Sequence, residues 1–157
     1  MRIILMTIGM LFLFGCSVDK DELDGEVSQA YIAMFEKLME EDSALNSDKQ
    51  YISIDFTEAE DLTEAEIEEI VHHFEDNYEV DIINATVPEL LEREDPATGI
   101  LEGIVLSVEE VTYESPSDMV IQAQKYRGMD GMIGLEMELM YEEDQWMVSE
   151  SEIYEMY

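Results

Sequence analysis

Positive charge is nearly missing from this 157-residue chain. Seven lysines and arginines stand against 40 aspartates and glutamates, for a formal net charge of −33. Each phosphate contact needs a cation, so nucleic acid is excluded as a partner, and so is electrostatic docking on anionic lipid. One cysteine, Cys16, leaves no intramolecular disulfide. Three prolines and eight glycines form no Pro- or Gly-rich divider, which leaves one domain with one core. The longest apolar run, Ile3 to Phe14, falls short of the ~20 residues that a membrane-spanning helix needs. No Gly-rich phosphate loop, Gly-x-Ser-x-Gly elbow or Cys–His nucleophile pair occurs, and no cofactor site is read. The two histidines, His72 and His73, are neighbours. On a helix they point ~100° apart and cannot grip one metal as an i,i+4 pair does, so exposed helix-face histidines are expected.

What is present begins with an address. Arg2, the run Ile3 to Phe14, and small residues at the break have the layout of a secretory signal over 1–15. Leu13-Phe14-Gly15-Cys16-Ser17 resembles the lipobox of bacterial lipoproteins, with Leu13, Gly15 and Cys16 on the pattern and Phe14 off it. The resemblance implies that Cys16 receives a diacylglyceryl group and becomes the first residue after cleavage. It places the chain on the extracytoplasmic face of a cell membrane, held by acyl chains such as palmitate. Residues 16–25 then read as a short acidic tether. Asp19, Asp21 and Asp24 do not make a calcium loop, because Leu23 falls at the fifth position, where an oxygen ligand is needed, and Asp24 at the sixth, where glycine is needed.

Residues 26–157 read as a single α+β domain. Val27, Ala30, Tyr31, Met34, Phe35 and Leu38 recur at helical steps and predict a helix over about 26–41, with Asp24 as its N-cap. Tyr51 to Thr57 and Val80 to Ile83 read as short strands. Thr63 with Glu66, and Thr86 with Glu89, have capping-box spacing and predict two further helices. From Ile100 onward the period is two. Ile104, Leu106 and Val108 share one parity while Val111 and Tyr113 take the other, which predicts a bulge near Glu109-Glu110. Three more strands follow, the last starting at Trp146. The expectation is N-terminal helices packed on a curved antiparallel sheet, and this order of elements resembles the cystatin-like and nuclear-transport-factor-like rolls. The stretch from Lys125-Tyr126-Arg127-Gly128 through Ile133-Gly134 to Trp146 is similar to small uncharacterised lipoproteins of Gram-positive bacteria, a likeness that implies no activity.

Two of the few cations, Lys125 and Arg127, flank Tyr126. Together they are the candidate contact for an anionic ligand or partner, Arg127 supplying a planar fork. The plainer alternative pairs both cations with Glu136 or Glu138 across the hairpin. Met129, Met132, Met137 and Met140 read as core filling rather than thioether ligands. With 40 acids, no catalytic pair can be singled out. The acids sit on every element as a coat, which implies a salty or alkaline medium or, alternatively, divalent-cation binding. The reading that results is a lipid-anchored, non-enzymatic binding or interaction domain. Its partners are the membrane through Cys16 and an unidentified surface protein or small ligand. A small-molecule pocket or small enzyme built between helix and curved sheet is the alternative.

Overall fold

The computed structural model describes residues 18–94, 99–129 and 131–157. Helix α1 spans Val27–Glu40 and buries Ala30, Tyr31, Met34, Phe35 and Leu38 completely. Its N-cap is Glu26, with no side-chain capping bond. Asp24, expected in that role, instead donates its backbone N–H to the Pro116 carbonyl at 2.8 Å. Helix α2, Glu64–Asn77, and the short α3, Val87–Arg93, both start with the capping boxes that their spacing predicts. In α2 the Thr63 hydroxyl accepts from the Glu66 N–H, and the Glu66 carboxylate accepts from the Thr63 N–H at 2.6 Å.

Six strands form one curved, unclosed sheet: β1 (Tyr51–Asp55), β2 (Asp81–Ile83), β3 (Ile100–Ser115), β4 (Asp118–Gly128), β5 (Gly131–Glu142) and β6 (Gln145–Met156), in the order β2-β1-β3-β4-β5-β6. The last four make the antiparallel meander that the sequence predicts, and the register of β3 on β4 slips between Val108 and Glu110, where the parity of β3 changes. The sheet as a whole is mixed, which corrects the all-antiparallel expectation: β1 runs parallel to both β2 and β3. The connections explain it. A helix crosses between β1 and β2, and another between β2 and β3, and only crossovers of that length can join parallel neighbours.

Strand β3 is covered on both faces. Ile104, Leu106 and Val108 enter the main core with α1 and α2, whereas Leu101 and Val105 join Ala85 and Leu90 of the α3 side in a second cluster. In the main core Phe35 meets Phe56 and Phe74 edge-on, with ring centroids 6.4 and 6.2 Å apart. The strands β4, β5 and β6 turn Met119, Ile121, Ala123, Leu135, Met137, Leu139 and Trp146 to the same core.

On the other face of β5 and β6, Glu136 stands opposite Glu152 and Glu138 opposite Glu150. Like charges directly across a strand pair are destabilising, and salt screens them. Glu138→Lys is therefore expected to raise stability by about 0.5 kcal/mol and to weaken its sodium chloride dependence, measured by urea unfolding at low and high salt. A loss of stability would show that these glutamates are individually compensated rather than part of a repelling coat.

Residues 18–25, expected as part of a solvated tether, are held against the domain. Lys20 Nζ donates to the Asp61 carbonyl at 2.6 Å and pairs with Glu66 at 2.8 Å. Leu23 packs on the main core. Burial pushes the Glu66 carboxyl up, but the bonds from Lys20 and Thr63 outweigh it and hold the group below the usual range. The signal (1–15), Cys16 and Ser17 lie outside the described residues.

Candidate functional site

The three residues singled out from the sequence are parts of the scaffold. Lys125 follows Met119, Ile121 and Ala123 on the core-facing parity of β4 and is completely buried. Its ammonium donates to the Glu41 carbonyl, to the Asp42 carbonyl at 3.2 Å and to Asn46 Oδ1 at 3.3 Å. Those acceptors lie just past the C-terminal end of α1, in the loop that follows it, and Lys125 ties that loop to β4. Burial pushes the ammonium down to about 8, against the pull of Asp42 and Glu41. Arg127 donates to the Leu45 carbonyl at 2.8 Å and to that of Ser47, so the same loop is clamped twice. Tyr126, on the opposite parity, packs half-buried against the α3-side cluster.

The alternative pairing with acids fails on register. Ile133 stands opposite Lys125, while Glu136 faces Gln122 and bonds its amide at 2.7 Å, and Glu138 faces Val120. Lys125 and Arg127 are thus engaged in bonds to the loop after α1, while Tyr126 packs on the α3-side cluster.

The other titratable pairs also tie elements together. His73 Nε2 lies 2.8 Å from Glu36 of α1, which also accepts from the Tyr78 hydroxyl at 2.7 Å, and His72 pairs with Asp76 on the exposed side of α2. Asp61 accepts from both Tyr31 and Tyr113, and Glu94 accepts from Tyr51 at 2.5 Å. Burial together with these carboxylates raises the Tyr31, Tyr51 and Tyr78 phenols well above their ordinary range. Among the described residues no group of three His, Cys, Asp or Glu side chains is placed to hold a metal. The methionines scatter, Met137 being buried and Met129 largely exposed.

Several hollows lie on the surface. One, of about 490 Å³, is an open groove between α1 and α2 beside Glu69, His72 and His73. Another, of about 290 Å³, sits at the end of β1 beside Asp55, Ser107, Glu109 and Tyr126. The most chemically distinctive, also of about 290 Å³, lies between the first turns of α1 and the β5–β6 hairpin. Its aromatic side is Tyr141 and Trp146, tilted by 54° with ring centroids 5.4 Å apart. Glu26 and Asp144 bring carboxylates to it, and Gln29 and Gln145 bring amides. Trp146 is only 5% exposed, and its Nε1–H is buried with no hydrogen-bond partner among the described residues. An unpaired buried donor of this kind costs about 1–3 kcal/mol.

Gly25 explains how the chain passes so close to these rings. A Cβ there would stand 2.7 Å from Trp146 Nε1 and would run into the Tyr141 ring. At the hairpin tip Glu143 and Asp144 both have positive φ, 53° and 64°, the pair of conformations that a two-residue turn matching the twist of the strands requires. Sequence reasoning passed this site over. Tyr141 and Trp146 bracket the turn in plain view, but nothing local says that Glu26 and Gln29 of α1 close the other side. No protein-family model, curated protein or solved structure matches the chain.

Proposed function

We propose that the chain is a lipid-anchored extracytoplasmic lipoprotein whose domain is a non-enzymatic binding or interaction module. The anchor rests on Leu13 to Ser17, with Cys16 as the lipidated residue. Two acyl chains at ~0.8 kcal/mol per buried CH₂ suffice for stable attachment where one would be marginal. Binding rather than catalysis is supported by where several perturbed groups lie: Lys125 and the raised Tyr31, Tyr51 and Tyr78 are engaged in bonds that hold α1, the sheet and the loops together. A small-molecule pocket is the second reading, and the hollow between α1 and the β5–β6 hairpin, with the unpartnered indole of Trp146, favours it specifically. In this proposal α1 and the β3–β6 meander constitute a cystatin-like roll, extended at one edge by the parallel pair β1 and β2.

Cys16→Ser protein, expressed in a bacterium fed labelled palmitate, is expected to lose the label and to collect in the medium or as uncleaved precursor. Label retained by the variant overturns the anchor. Crosslinking on intact cells followed by affinity capture of the tagged full chain tests the module, which requires a partner enriched over the Cys16→Ser control.

A further inference from the structure

We infer that residues 19–25 are a docked strap, not a spacer, and that in the anchored protein they hold the domain close to the bilayer with its β3–β4 and β5–β6 hairpin tips toward the lipid. The inference deepens the lipid-anchor reading and rests on it for the orientation, though not for the docking.

Distant parts of the fold fix the strap at successive points. Lys20 Nζ donates to the Asp61 carbonyl at 2.6 Å and pairs with Glu66 of α2 at 2.8 Å. Leu23 packs on the main core, and the Asp24 N–H donates to the Pro116 carbonyl of the β3–β4 turn at 2.8 Å. At Gly25 the backbone passes so close to the Tyr141 ring that a Cβ would collide with it. The chain is also wound into a 3₁₀ turn, Lys20–Glu22, in which the Glu22 N–H donates to the Asp19 carbonyl at 2.9 Å. Burial sorts the side chains in the same way. Lys20 and Leu23 are half-buried, while Asp19, Asp21, Glu22 and Asp24 are exposed. A solvated linker has no reason to turn its cation and its leucine inward and its acids outward.

Docking sets the reach of the anchor. A chain spans at most ~3.5 Å per residue, so Cys16 and Lys20 are at most about 14 Å apart, whereas an undocked chain from Cys16 to Glu26 would reach about 35 Å. The strap is held at one end of the sheet. There the β3–β4 turn accepts from Asp24, and the Ser117 carbonyl accepts from the Tyr141 N–H at 2.8 Å, which ties the β5–β6 hairpin beside it. The β4–β5 connection at Gly128 and Gly131 lies at the other end of β4, about 30 Å away. The anchored end carries Asp118, Glu142, Glu143 and Asp144 and attracts no anionic headgroup, so the shortness of the chain, not charge, keeps it at the lipid. The end turned outward to partners is then the β4–β5 connection with the loop that Lys125 and Arg127 clamp.

Two measurements test this. In the Cys16→Ser full chain, hydrogen exchange should find the amides of Glu22, Leu23 and Asp24 protected, and Lys20→Ala should speed their exchange. Unprotected amides overturn the strap whatever Cys16 carries. For the orientation, the lipid-modified protein carries a fluorophore on Glu142→Cys or Met129→Cys, both at exposed positions. Cys16 is the sole native cysteine and is acylated in this protein, so each introduced thiol is labelled alone. In phosphatidylcholine vesicles with a headgroup-labelled acceptor lipid, energy transfer from position 142 should exceed that from 129 several-fold. Six Gly-Ser residues inserted between Val18 and Asp19 leave every docking contact in place and add about 20 Å of reach. They should lower transfer from 142 and shrink the contrast. Equal transfer from the two positions in protein that carries the palmitate label, or a contrast unchanged by the insertion, overturns the orientation and leaves the anchor standing. Protein without the label ends the anchor, and the orientation with it, while the exchange result stands by itself.

Discussion

Phe35→Ala is expected to lower the unfolding free energy by about 3–5 kcal/mol, the range for emptying a fully buried aromatic position. Phe35 has no exposed surface and lies where three elements meet: Tyr31 on its own helix, Phe56 after β1 and Phe74 of α2, with ring centroids 6.2–6.4 Å away. Edge-on aromatic pairs add about 0.5–1.5 kcal/mol each beyond the area they bury. Such a loss is a large fraction of the ~5–15 kcal/mol by which domains are stable. Urea unfolding followed by Trp146 fluorescence should show the midpoint falling with the slope unchanged. Phe35→Leu, which keeps most of the volume, should lose less than half as much. A cost below about 1 kcal/mol for the alanine variant would mean that α1 is not anchored to the sheet through this residue.

Lys125→Ala is expected to cost about 3 kcal/mol at neutral pH, because it leaves a cavity and strands three acceptors in the loop after α1. Lys125→Met should cost less, since the thioether side chain refills the space and leaves only the acceptors unpaired. The wild-type pH profile separates the charge from the packing. Burial holds the folded-state value near 8, below the 10.5 of a free lysine. Between those two values the unfolded chain binds a proton that the native state has released, so stability rises with pH across that window. The full rise is on the order of 3 kcal/mol. The raised Tyr31, Tyr51 and Tyr78 act in the opposite sense: their contribution is complete below the ordinary tyrosine range and is lost as pH climbs through and beyond it. Stability should therefore peak near pH 10 and fall above it. Lys125→Met should abolish the rise and leave the fall. A rise that persists in Lys125→Met would assign it to another group.

Local chemistry made much of this architecture legible. Two capping boxes announced α2 and α3 because the bonds involved span three residues and need no tertiary partner. The parity change in β3 announced its bulge because one residue in excess moves every later side chain to the other face. The apolar stripe of α1 marked Phe35 and its neighbours as core before any partner was known. Other assignments failed for the converse reason. Asp24 has the right side chain for an N-cap, but its backbone is already bonded to Pro116, far along the chain. Lys20 looked like linker until Asp61 and Glu66 were beside it.

The division follows from how far each interaction reaches. Composition, hydrophobic period and caps act over a few residues, so the α+β class, the helices, the four antiparallel strands and the acidic coat are properties of the chain alone. Strand partners are chosen by contacts between distant segments, and a short run such as β1 carries no label saying parallel or antiparallel; its helical crossovers decide, once they have packed. The meaning of a polar side chain is decided the same way. Lys125 in the sequence is a cation on a strand, free to meet an anion. In the folded molecule it lies on the core side of β4 and holds the loop that follows α1 through the Glu41 and Asp42 carbonyls. Tyr141 and Trp146 go the other way: two apolar residues flanking a turn become one wall of an acidic hollow, because α1 sets Glu26 and Gln29 across from them.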